Sequence, residues 1–149
     1  MADLKFEFIS DYHKDCYEKV ARFLVDMFGE MALPHDEYPD FSIRFGSAIV
    51  VVSVRDWGDD DAIITVYSWV IRGAEMTPEL MEFLLNKNYN IRFGAFSVDE
   101  DNDIHFGHTI VGSTIEKNEL RASIMGVANI ADEYDDEIQQ RWGGNKALR

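Results

Sequence analysis

The sequence predicts an α+β fold, a five-stranded antiparallel sheet with three helices in the order α-βββ-α-ββ-α. Three observations predict it. Three windows carry apolar residues three and four positions apart, the spacing of one helical face. Five short runs are rich in β-branched and aromatic residues and are bounded by turn formers. The links between successive runs are too short for the crossover of a dozen or more residues that parallel neighbours need, so the strands form hairpins.

The first helix is read from Ser10 to about Met31. Cys16, Val20, Phe23, Leu24, Met27 and Met31 lie on one stripe, Ser10 or Asp11 caps the start, and Gly29 followed by Pro34 and Pro39 ends it. Leu33 to Asp40 then reads as a loop. Phe41 to Phe45 alternates as a strand, Gly46 bends the chain, and Ala48 to Val54 is a second apolar run. The turn Trp57-Gly58-Asp59-Asp60-Asp61 leads into the third strand, Ile63 to Ile71.

Thr77-Pro78-Glu79 is a helix start: a capping hydroxyl, a proline whose missing N–H costs nothing at the first position, and an acid at the positive end of the dipole. Leu80, Met81, Leu84 and Leu85 form its predicted apolar face. A second hairpin follows, Ile91 to Val98 and Ile104 to Val111, joined by Asp99-Glu100-Asp101-Asn102-Asp103. The last helix has a seam of Leu120, Ile124, Val127, Ala131, Tyr134 and Ile138 and ends at Trp142-Gly143-Gly144. Ser113 with Glu116 as a capping box, or Asn118, is its predicted start. No linker or repeat divides the chain, so residues 1–149 are expected to form a single domain.

Asp and Glu number 28 against 14 Lys and Arg, and the net charge of −14 repels phosphate backbones and anionic lipid, so neither nucleic acid nor membrane is an expected partner. Cys16 is the sole cysteine, which excludes an intramolecular disulfide and a Cys-x-x-Cys pair. The start of the chain lacks the basic and apolar regions of a secretory signal, and no run reaches the roughly 18 apolar residues of a membrane span. A cytoplasmic protein is the expectation.

The residues offer no catalytic motif, no cofactor fingerprint and no metal-ligand spacing. Counted from Asp99 as a calcium loop, the sixth and twelfth positions, which require Gly and Glu, are Ile104 and Ile110. His105 and His108 are three apart on a strand, which sends them to opposite faces. Cys16 falls on an apolar stripe, where a thiol behaves as a small hydrophobe. Asp132, Glu133, Asp135, Asp136 and Glu137 flank the buried seam of the last helix, which turns most of them toward water, and are read as a solvated face.

The strands are apolar on both faces, whereas an antiparallel sheet with one wet face alternates. In Ile63 to Ile71, Ile64, Val66 and Val70 take one face, and Tyr67, Trp69 and Ile71 take the other. Helices, a second subunit or a docked peptide would cover that second face. Tyr67, Trp69 and Ile71 are therefore the candidate peptide or dimer surface.

Leu84-Leu85-Asn86-Lys87-Asn88-Tyr89, Phe93-Gly94-Ala95-Phe96-Ser97, His105-Phe106-Gly107-His108, and Ala131 to Asp135 with Trp142-Gly143-Gly144 together resemble the YbjN-like family, whose domains are similar to the peptide-binding chaperones of type III secretion. The likeness covers residues 77 to 144 and, more weakly, 41 to 54. It implies the same order of elements and a homodimer that holds extended segments of other proteins. Two functions are then expected to compete. One is a non-catalytic, dimeric peptide-binding adaptor; the other is a small ligand-sensing or enzymatic domain with a pocket near His105 and His108.

Overall fold

The structure, a computed structural model, describes residues 3–147, so two residues at each end of the expected domain lie outside it. Its elements are α1 (Asp11–Phe28), β1 (Leu33–Pro34), β2 (Asp40–Phe45), β3 (Ala48–Trp57), β4 (Asp61–Arg72), α2 (Pro78–Asn90), β5 (Ala95–Val98), β6 (Ile104–Val111), α3 (Lys117–Trp142) and β7 (Asn145–Lys146). The predicted order holds, with a two-residue strand added after α1 and another after α3. Strands this short carry no alternation to read; pairing with β2 and β4 creates them. The sheet therefore has seven strands rather than five. They run β1-β2-β3-β4-β6-β5, with β7 also on β4, and every pairing is antiparallel.

Local chemistry sets the helix ends. Ser10 Oγ accepts from His13 N, and Thr77 Oγ1 accepts from Leu80 N ahead of Pro78. Gly29 stops α1 at a φ of +57°. Met31 consequently lies in the following 3-10 turn and is 55% exposed, off the stripe assigned to it. The start of α3 also differs from expectation. Glu116 is the cap residue and makes no side-chain cap bond, while Ser113 N and Oγ, just past β6, donate to Asp61 at the start of β4.

All three helices pack on one face of the sheet. Val20 and Leu24 of α1 and Leu120, Ile124, Val127 and Ile138 of α3 meet Ile43, Val50, Val52, Ile64, Val66 and Phe106, all fully buried. Each such side chain contributes roughly 1.5–3 kcal/mol relative to exposure. α2 buries only Leu80 and Leu84, and the Met81 and Leu85 assigned to its apolar face point outward. Adjacent helical positions are a quarter turn or more apart, so the two pairs form separate stripes and only one reaches the core. Among the acids of α3, Asp135 departs from the solvated reading. It is 3% exposed, accepts from Ser47 Oγ at 2.7 Å, and lies 3.6 Å from Lys146 Nζ.

Cys16 sits inside α1's buried stripe, where burial pushes its thiol up to about 11; Lys19 opposes the shift and Asp61 reinforces it. The folded thiol keeps its proton beyond 9.0, the value at which the unfolded chain releases it. Stability is thus expected to fall as pH rises between those two values. Near neutral pH, Cys16 should resist a disulfide reagent until denaturant is added. Labelling of the native protein at the rate of the unfolded chain would contradict this burial.

Candidate functional site

The opposite face of the sheet is uncovered. Strand period two sends Ile63, Thr65, Tyr67 and Trp69 of β4 there, with Val51 and Ser53 of β3, His105, Gly107 and Thr109 of β6, and Ala95 and Ser97 of β5. Of these only Ser53 is buried; the β4 side chains are half-buried by their neighbours within the sheet. Helices cover the first face and no described element covers this one, which leaves the two-sided apolarity of the strands without an internal explanation.

Tyr67 and Trp69 lie edge to face with ring centroids 5.5 Å apart, Trp69 is 4.9 Å from the His105 ring, and the Arg72 guanidinium lies 4.5 Å over the Trp69 ring. Burial, chiefly, raises the Tyr67 phenol above its ordinary value. Ile71 does not belong to this surface. The β4–β6 register slips between Trp69 and Ile71, so Val70 and Ile71, although consecutive, both turn inward, and Ile71 is fully buried. An added residue in one strand reverses the alternation beyond it, and a reading of period two carried straight through such a bulge assigns the wrong face.

Beside Tyr67 lies a hollow of about 430 Å³, bounded by Thr65, Ser97, Asp99, His105, Gly107 and Thr109 among others. Gly107 opens it. A Cβ there would lie 2.6 Å from Tyr67 Cβ and from the Val66 carbonyl oxygen, so no other residue fits. A glycine in the middle of a strand is the sequence signal for such close approach, and it marks a site residue that the periodicity alone passes over.

His105 Nε2 is 2.6 Å from Asp99 Oδ2, while Asp99 Oδ1 accepts from Asp101 N and Asp103 N. The His105 bond first, then the Asp103 amide, hold the Asp99 carboxyl below its usual range. Asp99 therefore closes the β5–β6 hairpin. His108 stands on the helix side of β6, the face opposite His105 as the spacing predicts, with Nδ1 buried and without a hydrogen-bond partner, and burial lowers its imidazole. The two histidines do not converge, and among the described residues no group of three His, Cys, Asp or Glu side chains is placed to hold a metal ion. No described helix is long and apolar enough to cross a membrane.

Two further apolar surfaces lie elsewhere on the outside. Met81, Leu85 and Tyr89, 45%, 69% and 90% exposed, recur every four residues along the outer side of α2, and Phe93 is 55% exposed just beyond. An apolar cleft of about 200 Å³ runs between α1 and the β1–β2 edge, lined by Tyr17, Ala21, Leu24, Val25, Pro34 and Phe41.

Residues 14–149 match the family model TY-Chap1, described as T3SS (YopN, CesT) and YbjN peptide-binding chaperone 1. An uncharacterized protein of Aquifex aeolicus (strain VF5) is 28% identical over 89 residues; the match takes in 58% of this chain and 36% of that protein, so the chain spans about a third of the length of the curated relative it matches. Among solved structures, a chain from the crystal structure of the ExsC-ExsE complex superposes with a TM-score of 0.62 at 17% identity, over 82% of this chain and 95% of its own. A chain from the HopA1-SchA chaperone-effector complex gives 0.61 at 11% identity, over 83% and 96%. At these identities the two structures show a shared fold.

Proposed function

We propose, for a chain that belongs to the TY-Chap1 family of T3SS (YopN, CesT) and YbjN peptide-binding chaperones, that it acts as a non-catalytic, single-domain adaptor that holds an extended segment of another protein on the open face of its sheet. The observation that carries this reading is the uncovered Tyr67–Trp69 surface beside the Gly107 hollow. Rigid aromatic side chains on an unpartnered face supply large contact area at low entropic cost. Both solved relatives of the fold come from complexes, one of them named as chaperone with effector. A net charge of −14 favours a client segment that is basic overall.

We assign the outward stripe of α2 to a homodimer contact, because Met81, Leu85 and Tyr89 form an apolar line that no described residue covers. The single buried thiol suits a reducing, cytoplasmic setting. A pocket built on His105 and His108 is disfavoured by their placement on opposite faces of β6.

The test is selection from a random peptide display library, followed by calorimetric titration of the recovered peptides. Extended peptides rich in apolar residues and bearing net positive charge are expected, with Kd values on the order of micromolar. A protein that retains no peptide at tens to hundreds of micromolar would refute the adaptor reading.

A further inference from the structure

Beside its aromatic rings, the open face of the sheet carries a carboxylate placed to meet a cation. Ser97 pairs with His105, whose side chain shares a face with Tyr67 and Trp69, and Asp99 continues the same alternation two residues later. The bond from His105 Nε2 at 2.6 Å holds Asp99 in place, and Asp99 and Tyr67 both line the hollow of about 430 Å³.

Asp99 is ionised, reachable and not fully used. The His105 bond first, then the Asp103 amide, hold its carboxyl below the usual range, so it carries its charge at neutral pH. A carboxylate offers about four acceptor sites on its two oxygens. Asp101 N and Asp103 N take two at Oδ1 and His105 takes one at Oδ2, which leaves a lone pair of Oδ2 without a donor among the described residues. The side chain is 36% exposed. Asp40, on the same face by register, is already joined to Arg55 at 2.8 Å.

The rings complete the site. Tyr67, Trp69 and His105 stand in a row, with successive centroids 5.5 and 4.9 Å apart. Aromatic faces attract cations, and a planar guanidinium also stacks on them. The chain itself uses this attraction, since the Arg72 guanidinium lies 4.5 Å over Trp69. Thr65 and Thr109, whose hydroxyls bond each other at 2.9 Å, keep oxygen lone pairs at the rim of the hollow for further N–H donors. Among the described residues no lysine or arginine lines it. An aromatic wall, a spare carboxylate lone pair and hydroxyl oxygens are complementary to a group that is flat, cationic and rich in N–H donors.

We propose that the hollow between Tyr67 and Asp99 is a subsite for an arginine side chain of the client, its guanidinium stacked on Tyr67 and hydrogen-bonded to Asp99 Oδ2. The proposal rests on the peptide-binding reading and narrows it, from a segment that is basic overall to one that carries an arginine at a fixed place. Lysine fits less well, because a compact charge on a flexible stem gains neither the stacking nor the planar array of donors.

The experiment uses the full chain and the tightest peptide recovered from the library selection. Each arginine of that peptide is replaced in turn by citrulline, which keeps the planar shape and loses the charge, and by lysine, which keeps the charge and loses the plane. At one position citrulline is expected to weaken binding about tenfold or more, and lysine severalfold. In Asp99→Asn the amide oxygen can still accept from the Asp101 and Asp103 amides, and there the same citrulline replacement should cost no more than about threefold. That coupling separates a direct contact from the general pull of an acidic protein on a basic peptide. Equal citrulline losses in wild type and folded Asp99→Asn would remove Asp99 as the contact. The citrulline series on the wild type decides the matter even if Asp99→Asn fails to fold. Selected peptides that lack arginine, or that tolerate every citrulline replacement, would overturn the subsite while sparing the adaptor reading. Should the wild type hold no peptide, both fall together.

Discussion

Replacing Tyr67 and Trp69 together by alanine is expected to abolish measurable peptide binding while the protein stays folded. Aromatic anchors at the centre of an interface typically contribute 2 kcal/mol or more each, about thirtyfold in Kd apiece, so a micromolar complex would weaken to roughly millimolar. The fold should tolerate the change, because neither side chain belongs to the buried cluster that α1 and α3 form with the sheet. Ile71 provides the contrast. It is fully buried, so Ile71→Ala removes core packing and is expected to destabilise the domain by about 2–5 kcal/mol. Its effect on affinity per folded molecule should be small. Titration calorimetry and thermal unfolding on the two variants separate these signatures. An affinity unchanged in the double aromatic variant would remove the open face from the binding surface.

Leu85→Asp is expected to convert a homodimer into monomers. The residue is 69% exposed midway along the outward stripe of α2, between Met81 and Tyr89, so a second copy seated on that stripe would bury the new carboxylate. Burying an unpaired charge costs several kcal/mol, which raises the dimer Kd about a hundredfold or more and so leaves monomers at micromolar concentration. Leu80 and Leu84 hold the inner side of the same helix and are untouched, so the monomer should keep its fold. Sedimentation equilibrium decides the matter. A wild type that sediments as a monomer across the micromolar range would remove α2 as a subunit contact, and a variant that remains dimeric would move the contact elsewhere. Because Tyr67, Trp69 and Asp99 are on another surface, a monomeric variant that still binds peptide would show that one subunit suffices for a client.

The family resemblance drawn from residues 77 to 144 agrees with a family model that spans 14–149, and the predicted order of helices and strands is the order of the fold. Caps and breakers marked most boundaries, because Ser10, Gly29, Thr77-Pro78 and Gly143 act on their own few residues of backbone. Errors arose where a neighbour distant in sequence decides. Ser113, a candidate helix cap beside Asn118 on spacing alone, has its hydroxyl and amide taken by Asp61, 52 residues away. Asp135 stands in a run of acids most of which face water, but Ser47 of the β2–β3 turn and Lys146 of β7 enclose it.

Periodicity and end signals alone determined that this chain has helices and antiparallel strands, in which order, and that its strands carry more apolar surface than one covered face requires. These are consequences of local backbone chemistry, legible wherever a repeat of two or of three to four is uninterrupted. Tertiary structure decided the rest: that all three helices lie on the same side, that a bulge after Trp69 withdraws Ile71 into the core, that α2 turns only Leu80 and Leu84 inward, and that β5 stops short of Thr109 and Val111. Each depends on which elements meet in space. Contacts between residues far apart in the chain are not encoded in the spacing of either partner.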